Sequence, residues 1–141
     1  MNWLLVIAGA MIGAPLRYLT DRTVQSRHDP LFPWGTFTVN VVGCLILGLL
    51  TGAVAAGAAP SPVRLFAGTG LCGALTTYST FSYETLRPAE DGARFYAAAN
   101  VTASVVAGLG AAFTGAALAR AIRGQPSREA PRGVVASRRC R

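Results

Sequence analysis

Four long stretches without a charged residue constrain what this chain can fold into. A helix needs about 20 mostly apolar residues to cross the roughly 30 Å hydrocarbon core of a membrane. Charged residues make up 13% of the chain, about half the share in a typical soluble domain. Short segments with charges or prolines separate the stretches, which span residues 1–16, 32–63, 65–83 and 95–119.

The chain of 141 residues is short enough for one domain, and its pattern predicts an all-α integral membrane protein with four transmembrane helices. The first stretch lacks a basic segment before its apolar run and a small-residue cleavage site, so we interpret it as a helix and not as a signal peptide. The third helix is predicted to break near residues 73–78. The four predicted helices cover residues 2–20, 33–56, 63–85 and 93–122.

The positive charge of the chain is concentrated at its C-terminal end. All thirteen basic residues are arginines, the net charge is +7, and seven of the arginines lie at or beyond Arg120. We expect a membrane domain over residues 1–122 and a basic, disordered tail over residues 123–141. Anionic membrane lipid is the expected partner of this tail. Nucleic acid is not expected, because the tail lacks aromatic residues that would stack on bases.

A dense run of hydroxyl groups lies inside the third apolar stretch. Seven of the eight residues over 76–83 carry a hydroxyl, and Gly70 and Gly73 precede them. Polar side chains and irregular backbone are tolerated at membrane depth only where they contact protein or line a water-filled path. The run therefore favours a pathway for an ion or small solute and makes the chain a candidate channel.

Three further polar residues at membrane depth are candidate functional residues. Asn40 either bridges helices or offers its amide to a small anion. Arg17 extends to the membrane interface, pairs with backbone carbonyls or forms part of an anion vestibule. Glu84 follows the hydroxyl run, where it either pairs with an arginine or couples transport to protons.

Two sets of side chains share a helical face near these residues. Tyr96, Asn100 and Ser104 are spaced by four on helix four and form either a polar track or helix–helix hydrogen bonds. Tyr78 and Phe81 are three apart, and they either pack against neighbouring helices or turn positive ring edges to an anion that loses its water.

The sequence also bears on two other classes of protein. An enzyme is not expected, because the only histidine, His28, lies in a loop and no Ser-His-acid site can form at membrane depth. A proton-coupled exporter of small ions or drugs is the alternative, although such exporters typically need a carboxylate in a helix centre and this chain offers only Glu84 near an end.

Three motifs resemble the small bacterial fluoride channels of the CrcB/Fluc family, with a match over about residues 3–120. The most specific one lies in helix three. The motifs read Gly13-Ala-Pro-Leu-Arg17-Tyr18, Gly35-Thr-Phe-Thr-Val-Asn40-Val-Val-Gly43 and Gly70-Leu-Cys-Gly73-Ala-Leu-Thr76-Thr77-Tyr78-Ser79-Thr80-Phe81-Ser82.

The resemblance implies a fluoride-selective channel in the inner (plasma) membrane, built as an antiparallel dimer with two pores and a central Na+. It implies that backbone carbonyls of Gly73 and Thr76 hold the Na+, and that Arg17 has a vestibule or structural role. The fluoride pathway implied in this way consists of Asn40, Tyr78, Ser79, Thr80, Phe81, Tyr96, Asn100 and Ser104.

The chain departs from the family pattern at three positions. Tyr78, Ala74 and Asn100 replace a usual phenylalanine, glycine and serine.

The arginines are distributed unequally between the two predicted sides of the membrane. Arg64 and the seven arginines from Arg120 onward share one side and four arginines lie on the other, which favours a tail on the inside of the cell. A homodimer and a heterodimer with an inverted homologous chain therefore both remain open.

Overall fold

The computed structural model describes residues 2–123, and all secondary structure within that range is helical. The predicted tail lies outside the described residues, apart from Arg123 at the end of the last helix. The elements in chain order are α1 (Asn2–Gln25), α2 (Trp34–Ala55), α3 (Ser61–Val63), a π-helix (Arg64–Cys72), α4 (Gly73–Leu75), α5 (Tyr78–Glu90) and α6 (Arg94–Arg123).

Three of these helices are long and apolar enough to cross a membrane. They are α1, α2 and the part of α6 over Arg94–Ile122. The prediction of an all-helical, multi-pass membrane protein is therefore confirmed for the described residues. The region between α2 and α6 is divided among shorter elements.

Helix α1 is longer than the sequence predicted, because it extends to Gln25 instead of ending near residue 20. Its last turns are held against the start of α2. The Gly35 N–H donates to Gln25 Oε1 at 3.3 Å, and Gln25 Nε2 donates to the Phe32 carbonyl at 3.2 Å. A Cβ added at Gly35 would lie 2.0 Å from Asp21 Oδ1. These contacts extend α1 over Asp21 and Arg22, two charged residues that the sequence predicted to lie in a loop.

Helices α2 and α6 form the most extensive contact in the described chain, through small residues on both sides. A Cβ at Gly48 would lie 2.1 Å from the Ala112 carbonyl oxygen, and one at Gly115 would lie 2.4 Å from the Leu45 carbonyl oxygen. Only glycine allows this approach, which is the usual way for helices to pack in lipid. The close contact fixes α2 against α6 and so positions the polar residues that both helices carry.

The π-helix packs against α1 through a second pair of glycines. A Cβ at Gly9 would lie 2.2 Å from the Phe66 carbonyl oxygen, and one at Gly70 would lie 2.6 Å from the Val6 carbonyl oxygen. A π-helix is rare and is frequently found at functional sites. Here it leads through the single turn α4 into the glycine- and hydroxyl-rich segment.

Candidate functional site

The helical path is interrupted at Thr76 and Thr77, between α4 and α5. Thr76 has φ −80° and ψ 156°, and Thr77 has φ −148° and ψ 129°, so both residues are extended. The Thr76 N–H and hydroxyl both donate to the Cys72 carbonyl, at 3.0 and 2.9 Å. Thr77 Oγ1 then accepts from the Thr80 N–H at 3.3 Å and caps α5. The second threonine thus starts a new helix immediately after the first one ends.

Asn40 of α2 is hydrogen-bonded to the backbone at this interruption. Its Oδ1 accepts from the Thr77 N–H at 2.9 Å, and its Nδ2 donates to the Thr77 carbonyl at 3.3 Å. The side-chain amide therefore replaces the backbone partners that an extended residue would find in a sheet. Since the amide nitrogen carries two hydrogens, one N–H of Asn40 is still available for another acceptor.

The same hydrogen bonds leave two backbone carbonyls without their usual helical donors. In a continuous α-helix the Gly73 carbonyl accepts from the Thr77 N–H and the Thr76 carbonyl from the Thr80 N–H. Those two N–H groups donate instead to Asn40 Oδ1 and Thr77 Oγ1. Gly73 is exposed, and a Cβ built on it would meet no atom within 4 Å. Unwound carbonyls at the C-terminal end of a helix segment are typical ligands for Na+ in membrane proteins.

Arg17 extends from α1 to the beginning of α5, where its guanidinium donates to Thr80 Oγ1. The hydroxyls of Thr77 and Thr80 lie 3.3 Å apart, as do those of Thr77 and Ser79. Arg17 is half-buried and hydrogen-bonded within the protein. Of the roles considered for it from the sequence, this geometry favours a structural one beside the predicted pathway. One network consequently connects α1 with the residues that start α5.

A cavity of about 390 Å³ lies next to the interruption. The rings of Tyr78 and Phe81 have centroids 6.2 Å apart and planes inclined by 42°. The Tyr78 side chain is 82% exposed, whereas Phe81 is half-buried. Predicted site residues from three helices thus meet at one surface. The polar and aromatic residues that line it are Asn40, Thr76, Thr77, Tyr78, Phe81 and Ser104.

The polar residues of α6 are only partly joined to this cavity. Asn100 is 1% exposed, and its Nδ2 donates to Thr85 Oγ1 at 2.8 Å. The Ser104 hydroxyl donates to Asn100 Oδ1 at 3.3 Å. Tyr96 is half-buried and packs edge-on against Phe95, with centroids 5.8 Å apart. Asn100 and Ser104 therefore form one hydrogen-bonded group with α5. Within residues 2–123, no described hydrogen bond connects Tyr96 to this group.

Glu84 lies on α5 beside the Thr36 side chain of α2. Its Oε2 is buried and has no hydrogen-bond partner among residues 2–123, so the arginine considered from the sequence does not bond this oxygen. A cavity of about 470 Å³ opens next to it, lined in part by Gln25, Tyr83 and Arg87. The carboxyl is accordingly close to the end of α1. The sequence placed Glu84 near the end of helix three, but it is the middle residue of α5, because that helix starts at Tyr78 and continues to Glu90.

Sequence reasoning missed three threonines that organise the site. Thr77 caps α5 and pairs with Asn40, Thr85 accepts from Asn100, and Thr36 lies beside Glu84. The first had a recognisable signal, since threonine is a preferred N-cap where a helix resumes. The other two depend on contacts between helices, which a single sequence does not indicate.

The sequence of this chain is similar to those of known proteins. The family model described as CrcB-like protein, Camphor Resistance (CrcB), matches residues 4–116. A protein named fluoride-specific ion channel FluC 1 from Streptomyces avermitilis is 73% identical over 122 residues, which cover 86% of this chain and 98% of that protein. The protein of the same name from Frankia casuarinae is 70% identical over 129 residues, 88% of this chain and the full length of that protein. Another from Nocardia farcinica is 52% identical over 118 residues, 84% of this chain and 80% of its own length.

The fold and site define a small multi-pass membrane protein with a polar, aromatic-lined surface at a helix interruption. The family model covers most of the chain, and relatives of high identity match nearly their full length. The chain belongs to the CrcB-like family, which confirms the resemblance drawn from its motifs.

Proposed function

We propose that this protein is a fluoride-selective channel that allows cytoplasmic fluoride to leave the cell passively. The observation that carries the proposal is the 73% identity to a protein named as a fluoride-specific ion channel, over nearly that protein's full length. The surface at the helix interruption supports it, because an amide, hydroxyls and two aromatic rings line the same cavity. Fluoride enters cells as neutral HF and is retained as the anion, so a selective leak across the plasma membrane reduces its toxicity.

The fluoride path in this proposal begins at the cavity next to the interruption. The spare N–H of Asn40 and the positive ring edges of Tyr78 and Phe81 are weak donors for a small anion. The hydroxyls of Ser79 and Thr80 continue the supply of donors. Ser104 lines the same cavity with its hydroxyl proton bonded to Asn100 Oδ1, and Tyr96 and Asn100 lie further along α6. Several weak sites in series replace the hydration of the ion while still releasing it.

The segment from α3 to α5 acts as the fourth membrane crossing in this proposal, with its break at Thr76 and Thr77. A polar, extended backbone at this depth must be covered by protein or line a water-filled path. The exposed Gly73 and Tyr78 lie at the break, where a second subunit would cover them. The family resemblance supports an antiparallel dimer as the assembly, formed by two copies of this chain or by this chain and an inverted homologous one.

A structural Na+ at the centre of the dimer completes the proposal. The carbonyls of Gly73 and Thr76 fit this role, because neither receives the N–H that a continuous helix would supply. When bound, a cation supplies charge that compensates the negative end of the preceding helical segment. The residues of the chain provide neutral oxygen ligands and an exposed glycine that allows close approach.

The direct test is fluoride efflux from liposomes that contain only the purified full-length chain. Efflux is followed with a fluoride electrode and compared with chloride efflux from matched liposomes. Fast, fluoride-selective efflux that is lost in Asn40→Asp supports a self-sufficient homodimeric channel. Well-folded protein that is silent alone would contradict the homodimer, and activity regained with a co-reconstituted inverted homologue would establish the heterodimer.

A further inference from the structure

At the helix interruption, two side-chain oxygens accept N–H groups that would otherwise bond to backbone carbonyls. Asn40 Oδ1 accepts the Thr77 N–H, which would otherwise reach the Gly73 carbonyl. Thr77 Oγ1 accepts the Thr80 N–H, which would otherwise reach the Thr76 carbonyl. Each side chain thus prevents one helical hydrogen bond, and the two carbonyls affected are those assigned to the cation.

We propose that Asn40 and Thr77 are positioning residues that keep the Gly73 and Thr76 carbonyls free for a monovalent cation. This inference rests on the proposed function for the presence of the cation. It gives Asn40 a role that acts through the Thr77 backbone, in addition to any contact with the transported anion. A substitution that removes either acceptor returns an N–H to the carbonyl, which then competes with the cation.

Asn40 also connects the cation site to the anion path. Its amide holds both backbone groups of Thr77 and lines the cavity next to Tyr78 and Phe81. A cation that binds the freed carbonyls favours the extended state of Thr77, which is the state that Asn40 pairs with. The coupling between two sites is reciprocal. An interaction that holds Asn40 in this position therefore strengthens cation binding by the same factor by which the bound cation favours that position. Cation binding and the geometry of the anion path are thereby coupled through one residue.

The test measures stability, so that it does not depend on transport. Full-length protein in detergent is unfolded thermally while Na+ replaces N-methyl-D-glucamine at constant ionic strength. A ligand that binds only the folded state raises the unfolding temperature with its concentration. We expect the parent to show this rise and Thr77→Val to need a Na+ concentration higher by about tenfold, as when one hydrogen bond competes with a ligand. Thr77→Ser keeps the hydroxyl and should restore the parent curve.

Thr85→Val is the matched control, because Thr85 bonds Asn100 and not the interruption. It should lower the unfolding temperature without moving the Na+ dependence. Asn40→Leu should shift the Na+ dependence in the same direction as Thr77→Val. Unchanged Na+ dependence in a folded Thr77→Val or Asn40→Leu protein would overturn the inference, as would a parent that Na+ does not stabilise.

Should neither variant fold, the unmodified chain gives the answer. The protein is labelled with ¹³C at the Gly73 and Thr76 carbonyls, and their resonances are recorded as Na+ replaces N-methyl-D-glucamine. A Na+-dependent shift of both resonances supports the inference, and constant resonances contradict it. Fluoride efflux from liposomes that contain the parent is measured separately. A channel whose carbonyls ignore Na+ would end this inference and leave the proposed transport function standing.

Discussion

Helix α2 makes two opposite kinds of contact along its length. Towards its C-terminal end, Gly48 packs against the α6 backbone at a distance that no larger residue allows. Nearer its start, Asn40 pairs its amide with the extended Thr77. In the first region every helix satisfies its own backbone and only shape is matched. In the second region the Asn40 side chain bonds the Thr77 backbone, so the Gly73 carbonyl oxygen does not receive the Thr77 N–H and stays available. The first contact builds the scaffold, and the second builds the site.

The largest effect is expected when the scaffold contact is disrupted. Gly48→Ala places a Cβ 2.1 Å from the Ala112 carbonyl oxygen, which belongs to backbone and cannot rotate away. We expect the two helices to separate at a cost of about 2 kcal/mol or more, the range for overpacked interiors. Thermal unfolding in detergent and the yield of monodisperse protein measure this loss.

Gly110→Ala on α6 is the control for that substitution. A Cβ at Gly110 meets no atom within 4 Å in the described chain, so its effect on stability should be small or slightly favourable. Equal stability for the Gly48 and Gly110 variants would show that the α2–α6 contact is not as close as described. The same result would remove the contrast between scaffold and site.

The next effect concerns transport without loss of the fold. Phe81→Ile removes a half-buried ring from the cavity but keeps an apolar side chain. We expect fluoride efflux from liposomes to fall by about tenfold or more, since about 1.4 kcal/mol added to a barrier slows a step tenfold. Phe113→Ile is the control, because Phe113 lies on α6 with its side chain 75% exposed. Parallel losses in both variants would argue against a special role for the Phe81 ring.

The scaffold could be predicted from the sequence better than the site could. The spacing of charges predicted the helical class, and Gly48 and Gly52 lie four apart, a spacing that is typical of close helix packing in membranes. The residues near the break were also found, but not their partners. Asn40 was predicted to face an anion or bridge helices, and which backbone groups it bonds depends on how α2 and α5 are placed in space. Periodicity within one helix contains no information on that placement.

Glu84→Gln is expected to change fluoride efflux by less than about twofold, a barrier change below ~0.5 kcal/mol, because Glu84 does not line the aromatic-lined cavity. The carboxyl lies beside Thr36 near the ends of two helices, away from the aromatic-lined cavity. Efflux is measured with and without a pH gradient across the liposome membrane. Abolished transport, or efflux driven by the gradient only when Glu84 is present, would favour the proton-coupled exporter over the channel.

Tyr78→Phe is expected to have the smallest effect. The Tyr78 ring is 82% exposed, and its hydroxyl has no described hydrogen bond within residues 2–123, so its removal breaks no contact in the subunit. The ring that approaches Phe81 remains, and with it the edge offered to the anion. We expect unchanged stability and efflux within about twofold of the parent, a barrier change below ~0.5 kcal/mol. A larger increase in efflux would mean that the hydroxyl binds fluoride and slows its release, and Tyr78 would then belong with Asn40 among the residues that hold the ion.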